Sequence, residues 1–375
     1  MKASEFITSI KKLGIETIIG VPDSTLKQFC DEIQMNPQGL KHFTPANEGA
    51  AIGFAVGEYL ASGRPACVYM QNSGIGNTIN PICSLANNDV YGIPMLLIVG
   101  WRGEPGVKDE PQHVFQGKIT CELLDTVNIP YSMIDANTSL EDMEYIIDMA
   151  KEAFSQDEQY AIVVKKNTFE KGEKFIWNNG NSLVREDALG EIVRTVPKDT
   201  CIISTTGKIS REVYERSNDI LGTHDNVFMT VGGMGHASMI AYGIAERKQN
   251  KQILCIDGDG AALMHMGAMA FIASHAPRNY YHIVINNQAH ESVGAMPTDC
   301  RGISFAEVAK TLGYKEAYVI EQLEDVKKIS EDMAQKKEGP ILYEIKVSLD
   351  SRADLGRPKE TARENKEAYM EFMSL

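Results

Sequence analysis

The chain has 375 residues, 43% hydrophobic and 23% charged, an ordinary globular composition whose length suits two domains. Its 51 Asp+Glu outnumber 37 Lys+Arg, and the formal charge of -14 excludes nucleic acid or an anionic membrane surface as the main partner. Any anionic substrate must therefore be attracted by local positive charge.

The first segment, MKASEFITSIKKLGIETIIG, mixes acids and lysines into its apolar pattern. It reads as an amphipathic helix, and no targeting or membrane segment is expected. Short apolar runs then recur at 16–20, 66–70, 94–99, 161–164, 201–204, 252–256, 282–285 and 341–345, separated by longer helical patterns. Continuous apolar strands alternating with helices predict parallel sheets covered on both faces, so both halves are expected to be α/β. The polar stretch KKNTFEKGEKFIWNNGNSLVRED, residues 165–187, has the composition of a surface connector and precedes a helix opening near Arg185. It separates a first domain, 1–175, from a second, 185–375. The seven cysteines (Cys30, Cys67, Cys83, Cys121, Cys201, Cys255 and Cys300) form no close pairs and lie mostly in apolar runs. Their odd number reads as buried reduced thiols in a cytoplasmic protein.

The halves echo each other. EGAAIGFAVGEYLASGRPACVYMQNSG, from Glu48, and GHASMIAYGIAERKQNKQILCIDGDG, from Gly235, each run small-residue helix, basic turn, strand and Gly-rich strand end. Two sheet domains built alike would give this pattern, so it does not by itself imply a function.

The strand ends are more informative. In CIDGDGAA, residues 255–262, glycines that let backbone approach a phosphate flank the acid Asp259. A carboxylate would repel that phosphate unless a cation lay between them. After the helical pattern ALMHMGAMAFIASHA comes the strand YYHIVI, which ends in Asn286-Asn287-Gln288-Ala289-His290. Consecutive parallel strands bring their C-terminal ends together, where ligands bind in such sheets. A carboxylate, an amide oxygen and a backbone carbonyl there suit Mg2+. A solvated turn acid and an asparagine pair ending a strand is the plainer alternative.

GDG followed at this distance by NN, each closing a strand, resembles the cofactor motif of the thiamine diphosphate-dependent decarboxylase and transketolase superfamily. The resemblance implies a fold of two doubly wound parallel-sheet domains, a pyrimidine domain then a diphosphate domain, with no middle domain. It implies thiamine diphosphate and Mg2+ as cofactors, with Asp259, the Asn287 side chain and the Ala289 carbonyl on the metal. Gly258, Gly260 and Ala261 would face the diphosphate. VGGMGHAS, residues 231–238, would hold the aminopyrimidine, with Met234 as the apolar wedge and Gly232 offering a carbonyl. Glu48, in TPANEGAAIGFA, matches the superfamily's catalytic glutamate, although a helix-dipole partner is the alternative.

Further segments, among them GVPDSTLKQF, YMQNSGIGN, GWRGEPGVKDEPQH, STTGKISRE, NNQAHESVGAMPT and SRADLGRP, are similar to the phosphonopyruvate decarboxylase family from Gly20 to Pro358. STTGKISRE adds Thr206 and Gly207 to the cofactor residues. The implied reaction is decarboxylation of 3-phosphonopyruvate to phosphonoacetaldehyde in phosphonate biosynthesis. Decarboxylation of another anionic 2-oxo acid, particularly sulfopyruvate, is the near alternative, and a catalytically silent thiamine-binding subunit the distant one. Asp23, His113 and His290 are the candidate proton carriers, though each could be a cap, a surface residue or a satisfied core histidine. Arg102 and Lys108, then Arg352 and Arg357, are the candidates for the phosphonate dianion. The sequence departs from the family's SVGGQPT at Ala295 and Met296, in a loop expected to face the substrate. The superfamily places its cofactor between chains, so a homo-oligomer of at least two chains is expected.

Overall fold

The computed structural model describes residues 1–349 and 351–374. The chain forms two compact units: Met1–Ile176 with Ser292–Pro297, and Trp177–Glu291 with Thr298–Leu375.

Each unit is built on a six-stranded, all-parallel sheet. The first runs, edge to edge, Lys41–Phe43, Thr17–Gly20, Ala66–Gln71, Met95–Gly100, Tyr160–Val164, Tyr131–Ile134. The second runs Val227–Met229, Cys201–Ser204, Ile253–Gly258, Tyr280–Asn286, Ile341–Lys346, Glu316–Ile320. Taken in chain order within each unit, the two arrangements are the same, 2-1-3-4-6-5, which accounts for the echo between the halves.

Strand periodicity explains how each sheet is covered. Side chains on a strand alternate between its faces. In the first unit Cys67, Tyr69, Leu96, Ile98, Ile162 and Val164 join one buried cluster with the helices Ala3–Lys11, Lys27–Met35 and Leu140–Ser155. Their strand neighbours Val68, Met70, Leu97, Val99, Ala161 and Val163 join another with the helix Glu48–Ser62. The second unit repeats the scheme with Arg185–Thr195, Lys208–Leu221 and Lys327–Ala334 on one face and Ala237–Arg247, Gly267–His275 and Phe305–Leu312 on the other. A strand residue such as Ile98, wholly buried, contributes about 1.5–3 kcal/mol through burial.

The single helix expected after GDG is broken into Asp259–Met264 and Gly267–His275. At the break the His265 ring packs against Gly235, where a Cβ would lie 2.6 Å from it, and against His236, with ring centroids 4.6 Å apart. Among the described residues no helix is long and apolar enough to cross a membrane.

Candidate active site

In the first unit the candidate residues collect where the parallel strands end. Glu48 opens the helix Glu48–Ser62, and the Asn47 side chain caps that helix by accepting from the Ala50 N–H at 2.9 Å. An acid in a first turn is favoured by the helix dipole, but this one is also buried, 5% exposed. Its Oε2 accepts a hydrogen bond from Asn77 Nδ2 at 2.7 Å. Gly74 leaves the space that the carboxylate fills, since a Cβ there would lie 2.5 Å from Glu48 Oε1. Gly74 and Asn77 both lie in YMQNSGIGN, where no spacing marks either as a partner of Glu48.

Asp23, just after the first strand, is fully buried. Its Oδ2 accepts from the Thr25 and Leu26 N–H groups at 2.8 and 3.3 Å, and its Oδ1 from Gln71 Nε2 at 2.7 Å. It therefore caps the turn into the helix Lys27–Met35. Burial pushes its carboxyl above the usual range, against the pull of Gln71, Arg102 and the Thr25 amide, so it is also suited to holding a proton. Gly100 lies so close that a Cβ there would sit 2.2 Å from Asp23 Oδ2.

Arg102 is engaged by Asp109 of its own loop and by Ser24. Its Nε donates to Asp109 Oδ2 at 2.8 Å, its Nη2 to Asp109 Oδ1, and its Nη1 to Ser24 Oγ at 2.7 Å. Lys108 is exposed in the same loop and, among the described residues, makes no ion pair. His113 stands in the first turn of the helix Pro111–Thr126, with Nδ1 buried and lacking a hydrogen-bond partner. Burial, reinforced by Arg102, lowers its pKa, leaving a neutral imidazole able to accept or return a proton at neutral pH.

In the second unit the cofactor candidates also lie at strand C-termini. Thr206 and Gly207 follow Cys201–Ser204, and the Thr206 hydroxyl donates to the Val231 carbonyl at 2.8 Å, tying that turn to the segment holding Gly232 and Met234. Gly258, Asp259, Gly260 and Ala261 span the end of Ile253–Gly258 and the start of the next helix. A Cβ at Gly260 would meet His290 Cε1 at 3.1 Å and Met234 Cε at 3.3 Å, so the bare backbone is closely framed by two candidates. Burial lowers the His290 imidazole to about 4, which keeps it neutral at pH 7.

Asp259 is 4% exposed. Its Oδ1 accepts from the Gly260 N–H at 2.7 Å, and its Oδ2 from Thr298 Oγ1 at 3.3 Å and Cys300 Sγ at 3.2 Å. Burial raises its carboxyl to about 6 despite those donors. Among the described residues no cationic side chain pairs with it. A buried acid with neutral donors only, beside amide and carbonyl oxygens, fits a hard divalent cation. Asn287 Oδ1 accepts from the Ala289 N–H at 3.1 Å, while Gln288 between them adopts φ 59. Next to this group, Asp257 Oδ2 and His282 Nε2 lie 3.8 Å apart, both buried without hydrogen-bond partners, with Cys255 beside them. Among the described residues they offer three His, Cys or carboxylate ligand atoms.

The C-terminal candidates differ from one another. Arg352 is taken up by Glu186, Glu215 and Asp354 within the second unit. Arg357 is exposed. Met296 is wholly buried in the hydrophobic cluster of the first unit, and Ala295 adopts φ 61, a backbone region that suits glycine. Of the two departures, Met296 thus fills core space.

The family pattern described as "Thiamine pyrophosphate enzyme, N-terminal TPP binding domain" matches residues 1–126, and "Thiamine pyrophosphate enzyme, C-terminal TPP binding domain" matches residues 213–345. This chain belongs to the thiamine pyrophosphate enzymes. It is 31% identical over 390 residues to a phosphonopyruvate decarboxylase of Streptomyces viridochromogenes, an alignment covering 99% of this chain and 95% of the relative. A phosphonopyruvate decarboxylase of Streptomyces hygroscopicus is 31% identical, with 99% and 94% covered. A sulfopyruvate decarboxylase of Methanosarcina acetivorans is 26% identical, with 78% and 77% covered. The chain is accordingly an enzyme of the decarboxylase type within this family, a carbon–carbon lyase that uses thiamine diphosphate.

Proposed function

We propose that this enzyme decarboxylates 3-phosphonopyruvate to phosphonoacetaldehyde and CO2, using thiamine diphosphate with Mg2+. The observation that carries the choice of substrate is the similarity to two phosphonopyruvate decarboxylases over 99% of the chain, against 78% for the sulfopyruvate relative.

Asp259, Asn287 Oδ1 and the Ala289 carbonyl would hold the Mg2+, and the Gly258–Ala261 backbone with Thr206 and Gly207 would receive the diphosphate. Gly232 and Met234 orient the pyrimidine. When bound, thiamine diphosphate supplies the electron sink that accepts the pair released as CO2 departs. Glu48, fixed by Asn77 and the space at Gly74, would hold the proton exchanged with the pyrimidine ring. Neutral His113 and His290 and the buried Asp23 carboxyl supply and receive protons at the reacting carbon. Lys108, free of ion pairs among the described residues, attracts the phosphonate, and the exposed Arg357 adds positive charge; Arg102 is paired with Asp109, and Arg352 with Glu186 and Glu215. Two or more chains assemble, so that Glu48 of one faces the diphosphate site of another.

The test is CO2 release from phosphonopyruvate, sulfopyruvate and pyruvate in parallel, with and without thiamine diphosphate and Mg2+. Cofactor-dependent turnover strongly favouring phosphonopyruvate is expected, and preference for sulfopyruvate would overturn the substrate while leaving the cofactor site intact.

A further inference from the structure

An asparagine amide has two ends of nearly the same shape, and only the oxygen can ligate a hard cation. Something must therefore decide which end of Asn287 faces the metal. In this structure Asn287 Nδ2 donates to Glu291 Oε2 at 2.7 Å. An ionised carboxylate accepts but cannot donate, so the nitrogen end is pinned to Glu291 and the oxygen is turned away from it. That oxygen accepts one hydrogen bond, from the Ala289 N–H, and keeps a second lone pair for a cation.

Glu291 is itself held in place. Arg185 reaches it through Nη1 to Oε2 and Nη2 to Oε1, the latter at 3.4 Å, and Lys208 Nζ lies 2.9 Å from Oε1. Both of its oxygens are paired with cations, Oε2 with Arg185 and Oε1 with Lys208, so it stands as a carboxylate that accepts. Arg185 is 2% exposed and is gripped from its other side by Glu212, with Nε to Oε2 and Nη2 to Oε1 both at 2.7 Å. Two acids and two bases thus balance in charge and link the helices Arg185–Thr195 and Lys208–Leu221 to one amide at the end of Tyr280–Asn286. Buried ion pairs are costly to desolvate and are weak contributors to stability. A chain of them that ends on a single amide is better explained by position.

Resting on the reading of Asn287 as a metal ligand, the geometry points to Glu291 and Arg185 as positioning residues that orient the Asn287 amide so that its oxygen meets the Mg2+ of the cofactor. In this role they act through Asn287.

The test is Mg2+ titration of the full-length protein with thiamine diphosphate, read by calorimetry and separately by turnover. Glu291→Gln keeps the side-chain length but offers Asn287 an N–H as well as an oxygen, so both amide orientations become acceptable. Loss of an outer-shell partner typically weakens metal binding about 10–100-fold, and the half-saturating Mg2+ concentration should rise by that factor. Turnover at excess Mg2+ should recover towards the wild-type kcat. Arg185→Lys keeps the charge but replaces the fork that bridges Glu212 and Glu291 with a single ammonium, and should shift the midpoint in the same direction; it decides the matter if Glu291→Gln does not fold. A midpoint within twofold of wild type in the folded variants, or a kcat loss that excess Mg2+ does not recover, would overturn the inference. A wild-type protein that needs no Mg2+ would instead refute the metal-site reading itself, and the wild-type titration alone reveals that.

Discussion

Gly74→Ala separates catalysis from stability at the Glu48 site. Gly74 has φ -72 and ψ -16, so its backbone accepts alanine without strain. The added Cβ would lie 2.5 Å from Glu48 Oε1 and 2.7 Å from both Cδ and Cγ, where ordinary contact begins at 3.4 Å. The Glu48 side chain must therefore retreat by about 1 Å, and overpacking of this kind costs about 1–3 kcal/mol. A displacement of about 1 Å in a catalytic group can cost about 100-fold in rate, or about 2.7 kcal/mol of transition-state stabilisation. The variant should thus melt a few degrees lower, bind thiamine diphosphate and Mg2+ nearly normally, and turn over about 100-fold more slowly. Melting temperature, calorimetric cofactor affinity and kcat measured on one preparation test this. A kcat within threefold of wild type, or a loss matched by unfolding, would refute the reasoning.

In the cofactor-free protein the Asp259 carboxyl sits at about 6 instead of 3.8, so between those pH values the folded state holds a proton that the unfolded state has lost. Wild-type stability should consequently fall relative to Asp259→Asn by about 2.4 kcal/mol as pH rises from 4 to 7, measured by urea unfolding; a flat or rising difference would contradict it. Met296→Gln would bury an amide in the first unit's apolar core, costing about 1–3 kcal/mol in denaturant unfolding while leaving the ratio of phosphonopyruvate to sulfopyruvate turnover unchanged. Lys108→Ala should raise KM for phosphonopyruvate about 10- to 100-fold with little change in kcat, because a charge-assisted contact to a dianion contributes about 1.5–3 kcal/mol; an unchanged KM removes Lys108 from the substrate site.

The interior strands were legible because burial on both faces makes them continuous apolar runs. Lys41–Phe43, Tyr131–Ile134, Val227–Met229 and Glu316–Ile320 were not, and these are the four edges of the two sheets. An edge strand is partly exposed: Lys41 and Phe43 face solvent, as does Val319, so its pattern is broken and short. The site divides in the same way. GDG, NN and the Glu48 helix are local motifs and could be read directly. The contact of Gly74 with Glu48, the tie from Asn287 through Glu291 to Arg185, and the capture of Arg352 by Glu186 and Glu215 join residues distant in sequence. No spacing rule encodes them, and a lone arginine in SRADLGRP looks the same whether it awaits a phosphonate or already holds carboxylates.

The most direct test of the account is Glu48→Gln, which keeps the side-chain size and the helix while removing the acid. The account predicts that this protein binds thiamine diphosphate and Mg2+ within a few-fold of wild type while CO2 release from phosphonopyruvate drops by about 100-fold or more, the scale of a lost acid–base group. Normal CO2 release from the Gln variant would contradict it, since the carboxyl held by Asn77 against Gly74 would then have no part in the reaction.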